Sequence, residues 1–241
     1  MSTRESHGEV PTWIYHRQIR PWVNKIHQFI NEIKEVGIDE CDHLWAKSGL
    51  KYSPFRYHGG YFVCPILSEE ACDYILRFAD GMHAHYKVNE EEAIPYQIPE
   101  LILAEHSVAM DMNCKAVGRE LIWPLFELMF GNRPNHFMSV QLARYQAKDG
   151  DILGTGWHND ECSDASCVIS LSPERHVGGG TALRCGGACK PAIIVPPLPK
   201  GWGLLFAGRT TLHRGLPLTS GQRNLLVYWC VNNIGVEKWL T

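Results

Sequence analysis

A mainly β fold with a helical buttress, α+β in class, is what three features of the 241-residue sequence predict. Apolar residues recur at helical spacing through the first half, the period switches to two at Phe137, and short β-prone runs then alternate with Gly, Pro and Ser. Many short strands after a helical half suggest a sandwich or jelly roll with helices packed on one outer face. The length suits one domain with appended elements, and 45% hydrophobic and 20% charged residues are ordinary globular values.

Along residues 13–36, Ile19, Trp22, Val23, Ile26, Phe29, Ile30 and Ile33 recur at three and four, the period of an amphipathic packing helix. Pro21 marks its start and Gly37 its stop. Residues 1–60 therefore read as a helical prelude and a loop. Residues 61–67 form a short apolar stretch, after which Ser68 caps a helix with Glu69 and Glu70 in its first turn, ending near Gly81. A second helical region spans 103–130 and closes at Gly131 to Pro134. That boundary reads as a change of layer inside one domain, residues 61–235 with a core of 137–232. In the strand over 137–145, Met138, Val140 and Leu142 share one side, and Ser139, Gln141, Ala143 and Tyr145 the other. Further strands are expected over 167–171, 180–183, 192–195, 203–207 and 223–231.

The formal charge of −3 and the lack of any basic run argue against a nucleic-acid partner. No window approaches the roughly 18 apolar residues of a membrane span. The N-terminal residues carry no apolar run of the secretory kind, so a cytoplasmic location is expected. Nine cysteines without regular spacing read as free thiols in a reducing compartment.

Chemistry concentrates in His158-Asn159-Asp160, where alternate residues of a strand could grip one ion together. Alone the pair means little, because 12 histidines and nine aspartates supply about half of one such pair by chance. His213, ending a strand-like segment that starts near Gly201, offers a third ligand. Two imidazoles and one carboxylate on one face of an octahedral ion leave three positions open, as in non-haem Fe(II) oxygenases. Those positions admit a bidentate 2-oxo acid and O₂, which a closed four-ligand site cannot do. Arg223 opens a strongly apolar strand and shares a face with Leu225, Val227 and Trp229. A guanidinium there requires an anion, either an internal carboxylate or the distal carboxylate of 2-oxoglutarate. Tyr145 reads equally as a core tyrosine or as a second group on that carboxylate.

Taken in order, Ala143 to Tyr145, His158 to Asp160, Gly178 to Leu183, Lys200 to Trp202, Gly208-Arg209, His213 to Pro217 and Ser220 to Arg223 resemble the double-stranded β-helix (jelly-roll) domain of Fe(II)/2-oxoglutarate dioxygenases. The likeness is to the prolyl 4-hydroxylase-like branch, and within it to the catalytic domain of procollagen lysyl hydroxylases. With the strand and helix over 62–79 it covers about two-thirds of the chain. The resemblance implies His158, Asp160 and His213 as iron ligands, Arg223 as the 2-oxoglutarate anchor and Tyr145 as a cosubstrate contact. It further implies release of succinate and CO₂, ascorbate as a reductant, and hydroxylation of an amino acid, a peptide or protein side chain, or a small metabolite. Glu161 and Asp164 read either as solvated loop acids or as negative charge at the mouth that favours a cationic substrate. Two rival readings use the same chain: a zinc-binding interaction module on Cys162, Cys167, Cys185 and Cys189, and a non-catalytic 2-oxoglutarate sensor.

Overall fold

The computed structural model describes residues 10–37, 41–88, 90, 98–147, 154–185 and 191–232. Helix α1 (Arg20–Val36) has Pro21 in its first turn, stops at Gly37 and buries Val23, Ile26, Phe29 and Ile30, one stripe at helical spacing. Helix α2 (Cys41–Ser48) occupies part of what the sequence reading left as loop. Strands β1 (Arg56–Tyr57) and β2 (Tyr61–Pro65) precede α3 (Glu69–Gly81), whose Ser68 cap accepts a hydrogen bond from the Ala71 amide.

The helical region expected over 103–130 is broken, and each break has a cause. After β3 (Glu100–Ile102) come α4 (Leu103–His106), α5 (Val108–Val117) and α6 (Trp123–Phe130). Ser107 turns extended between α4 and α5 and recaps the chain, accepting from the Met110 amide. A π turn over Gly118–Ile122 precedes α6. Pro124 has no N–H to give the Glu120 carbonyl one turn back, and that oxygen instead meets His27 Nε2 of α1 at 2.7 Å.

The remaining elements are strands: β4 (His136–Gln146), β5 (Ala165–Ser170), β6 (His176–Gly178), β7 (Thr181–Arg184), β8 (Ile193–Val195), β9 (Trp202–Phe206), β10 (Leu212–Gly215) and β11 (Leu218–Val231). Strand β11 begins at Leu218, five residues before the expected start, because its first residues pair with β6. Among the described residues the large antiparallel sheet runs β1-β2-β9-β5-β11-β4-β3, and a second sheet runs β10-β7-β8.

Alternation along the strands gives the large sheet two different faces. Outward, Phe62, Val140, Leu142, Cys167, Ile169, Leu226 and Tyr228 join one cluster with Phe29, Leu76, Leu121 and Phe126 of the helices. The prelude belongs to this cluster through Val10, Tyr15, Ile19 and Leu50. Inward, Leu204 and Phe206 meet Leu183 and Val195 of the small sheet, while Ala143, Tyr145, Leu225 and Val227 line the space between the sheets. No described helix is long and apolar enough to cross a membrane.

Candidate functional site

His213 lies inside β10 rather than at the end of the preceding strand, because the chain turns over residues 207–211 and starts a new pairing. On one side β10 pairs with β7; on the other it meets the segment 155–158. The amide of His158 donates to the His213 carbonyl at 2.9 Å and the His213 amide returns a bond at 2.8 Å. Directly opposed residues project side chains to the same face, which brings the two imidazole centroids to 4.3 Å. Each ring is oriented from behind: Nδ1 of His158 donates to the Gly156 carbonyl at 2.9 Å, and Nδ1 of His213 to that of Thr211 at 3.0 Å. Both Nε2 atoms therefore turn towards Asp160 Oδ1, at 4.0 Å from His158 and 3.6 Å from His213.

Asp160 is itself fixed. Its amide donates to the Gly208 carbonyl at 3.1 Å, and its Oδ2 accepts from the Ser166 hydroxyl of β5 at 2.5 Å. A Cβ at position 208 would overlap the Ser163 carbonyl and Ser166 Oγ, so this close approach requires glycine. One ligand atom each from His158, Asp160 and His213 lies within 4.8 Å of the others. Asp160 and His213 are both 7% exposed, and no lysine or arginine among the described residues pairs with the carboxylate. Burial pushes the His213 imidazole below its ordinary pKa, with Asp160 opposing. A backbone-oriented pair of imidazoles beside a buried carboxylate is a group that could hold a divalent metal with positions left open.

The triad borders a cavity of about 630 Å³ between the two sheets. At one end stand Arg223 and Tyr145, directly paired across β11 and β4, the guanidinium carbon 5.4 Å from the phenol centroid. Arg223 is 7% exposed and its Nη1 donates to the Gly180 carbonyl at 2.9 Å. No carboxylate among the described residues pairs with it, and burial pushes its pKa down. Burial likewise raises the Tyr145 phenol, with Arg223 opposing. Its hydroxyl fits only because residue 215 is glycine: a Cβ there would lie 2.7 Å from it.

Several expectations fail here. Asp164 does not charge the mouth, since it pairs with Arg209 Nε at 2.5 Å and accepts from the Asn232 amide; of the two acids expected there, Glu161 lines the cavity. The three described cysteines of the zinc reading do not come together. Cys167 is buried on the helix-facing side with Cys64 and Cys230, Cys162 is exposed beside Asp160, Cys185 packs against Gly60, and Cys189 lies outside the described residues. Among the described residues the His158, Asp160 and His213 group is the one that could hold an ion. Sequence reasoning missed the Ser166 and Gly208 supports and the lining residues Glu100, Gln141 and Thr155. Gln141 shares strand parity with Tyr145 and was legible to that extent; nothing local marked the others.

The chain is similar in fold to several solved structures. A prolyl hydroxylase from Trichoplax adhaerens, in complex with a hypoxia inducible factor oxygen degradation domain peptide, aligns over 93% of this chain and 96% of its own at 12% identity and TM-score 0.61. The non-heme alpha ketoglutarate dependent epimerase SnoN from nogalamycin biosynthesis aligns over 72% and 78% at 17% identity and TM-score 0.57. An oxidoreductase of the 2OG-Fe(II) oxygenase family from Burkholderia pseudomallei aligns over 79% and 93% at 17% identity and TM-score 0.51. No family profile and no curated protein sequence matches the chain. At these identities the likeness shows the fold, a double-stranded β-helix with helices on its outer face.

Proposed function

We propose that the protein is an Fe(II)- and 2-oxoglutarate-dependent dioxygenase that hydroxylates an amino acid, a peptide or protein side chain, or a small metabolite. The observation that carries this reading is one cavity holding two complementary features: a His-Asp-His donor set and a buried arginine that no carboxylate among the described residues neutralises. His158, Asp160 and His213 would hold the metal through Nε2, Oδ1 and Nε2, with the Gly156 and Thr211 carbonyls and the Ser166 hydroxyl fixing their orientation. Bound Fe(II) would supply the redox chemistry that couples decarboxylation of the 2-oxo acid to insertion of oxygen from O₂ into a substrate C–H bond, releasing succinate and CO₂. Arg223 would take the distal carboxylate in a charge-assisted pair and Tyr145 would close over it. The apolar walls of Leu225 and Val227 would keep water from the chain of the acid.

Fold likeness to oxygenases supports the proposal, and the peptide seated on the Trichoplax protein supports including peptides among the substrates. Ascorbate as external reductant and a cytoplasmic setting belong to the same proposal. Cys64, Cys167 and Cys230 lie together as free thiols, which suits a reducing compartment. The test is anaerobic loading with Fe(II), then succinate formation from 2-oxoglutarate in air across pools of amino acids, metabolites and peptides, with His158→Ala as control. Stimulation by one pool that the variant lacks supports the reading; no iron binding and no succinate with any pool sinks it.

A further inference from the structure

The cavity extends to a wall that neither the triad nor the Arg223 end uses. Gln141 stands there on β4, paired with Val227 of β11 and Ile102 of β3. It is 2% exposed; Oε1 accepts from the Ser139 hydroxyl at 3.0 Å, and Nε2 has no partner among the described residues. A buried amide donor without an acceptor is destabilising, and a leucine or valine would fill the same inward position at no such cost.

Register places this donor relative to the reaction. Gln141 is four residues from Tyr145, about 13 Å along the strand, beyond a five-carbon diacid anchored on Arg223. It is two residue pairs from the level of the metal donors: Trp229 pairs with Ser139 on one side and with Ser166, which holds Asp160, on the other. Two strand spacings, about 10 Å, separate the Gln141 strand from the strand of Ser166. A substrate lying over the open side of the triad spans that interval.

Charge narrows what it presents. Besides the triad, Arg223 and Tyr145, the ionisable carboxylates of the cavity wall are Glu100 and Glu161, and Arg223 is its sole arginine or lysine among the described residues. A carboxylate brought to Gln141 would meet a neutral donor and the like charge of Glu161, whereas a neutral carbonyl needs only the amide N–H. We propose that Gln141 is a specificity-determining residue that donates a hydrogen bond to a neutral carbonyl of the primary substrate, an amide or a ketone, and that the cavity rejects a free carboxylate there. This rests on the dioxygenase reading.

The experiment uses the full chain, anaerobic, with Fe(II) and 2-oxoglutarate, and follows the visible charge-transfer band of the iron and 2-oxo acid complex. Probes are N-acetyl amino-acid amides, the corresponding methyl ketones and the free amino acids, with succinate formation as second readout. The expected result is that amides or ketones, whichever the cavity takes, perturb the band and stimulate succinate while the free acids do not. Gln141→Leu should keep the band and its melting temperature and raise the probe KM about tenfold, the range of one neutral hydrogen bond. Gln141→Glu, which cannot donate when ionised, should abolish the response. Free acids acting as well as the carbonyl probes, variants responding like the unaltered protein, an enhanced response in Gln141→Glu, or a band that no carbonyl probe perturbs would each overturn the inference. Absence of the band in the unaltered protein refutes the dioxygenase reading, and the inference with it.

Discussion

Replacing Arg223 by leucine should remove cosubstrate binding while leaving the empty protein as stable as before. The guanidinium is 7% exposed with one protein hydrogen bond, to the Gly180 carbonyl. That carbonyl also accepts from the Leu216 amide at 3.0 Å, so the substitution strands no acceptor. Losing the contact with Tyr145 costs about 0.5–1 kcal/mol, and relief from burying an uncompensated cation returns about 1–2 kcal/mol. The net change without ligand is about 0 to +1.5 kcal/mol, a melting shift of at most a few degrees upward. Against 2-oxoglutarate, two charge-assisted hydrogen bonds at about 1.5–3 kcal/mol each predict a loss of about 10²- to 10⁴-fold in affinity. Calorimetric titration with 2-oxoglutarate and a divalent metal, beside thermal unfolding with and without them, reads both quantities. A variant that melts several degrees lower yet binds 2-oxoglutarate normally would show that Arg223 is structural and refute the reasoning.

The opposite outcome is expected for Arg144→Leu, which would leave the partners of a buried guanidinium on the helix-facing side unsatisfied; thermal unfolding should show a loss of about 3–5 kcal/mol. Gly208→Ala should force apart the Ser163 carbonyl and Ser166 Oγ, costing about 1–3 kcal/mol and weakening Mn(II) or Co(II) binding through the displaced Asp160; unaltered metal affinity would count against that coupling. Trp157, with Arg184 and Arg214 stacked at 4.7 and 4.9 Å from its ring, holds down the edge segment that bears His158, so Trp157→Ala should lower metal affinity about tenfold and Trp157→Phe should restore most of it. For Glu127, burial raises the carboxyl pKa, but hydrogen bonds and ion pairs with Lys34 and Arg133 win and hold it below its ordinary value. Its stabilising contribution is then present above the unfolded value of 4.5 and lost as the pH falls through the lower folded value. Glu127→Gln should therefore lower the melting temperature at pH 7, and the difference should close in acid.

What the sequence disclosed depended on whether a position obeyed a local period. Strand parity placed Tyr145 and Arg223 on the inward face and Val140 and Leu142 on the outward one, because a strand has a fixed two-residue repeat. The His158 and Asp160 pair was visible as spacing, but its orientation depends on Thr211, Ser166 and Gly208, which are distant in sequence and brought near by pairing. Helix α2 escaped notice because its eight residues show little apolar periodicity. The continuous pattern over 103–130 concealed a proline whose effect depends on a histidine nearly 100 residues earlier, His27 taking up the Glu120 carbonyl. Asp164 looked like free charge because nothing in its neighbourhood announced Arg209, 45 residues on.

The two arginines of neighbouring register pairs supply an internal control for the site. Arg144 pairs with Asn224 and Arg223 with Tyr145, so they stand one step apart on opposite faces of one sheet, both buried. On the helix side, Arg144 donates to Asn224 Oδ1 at 3.1 Å and to the Ala79 carbonyl at 3.2 Å, meets His83 and Asp80, and stacks 4.1 Å over Tyr86. This fold can therefore surround a buried guanidinium with acceptors and a counter-charge where its role is to hold helix to sheet. One position away, Arg223 receives a single carbonyl and no carboxylate from the described residues. Burial alone does not explain that contrast, since burial is common to both. The difference lies in what each face meets: packed helices on one side, and on the other a cavity whose far wall carries the metal donors. Acceptors missing from the protein on that side are those a dicarboxylate brings, and so the electrostatic deficit at Arg223 and the donor set at His158, Asp160 and His213 point to one ligand spanning both.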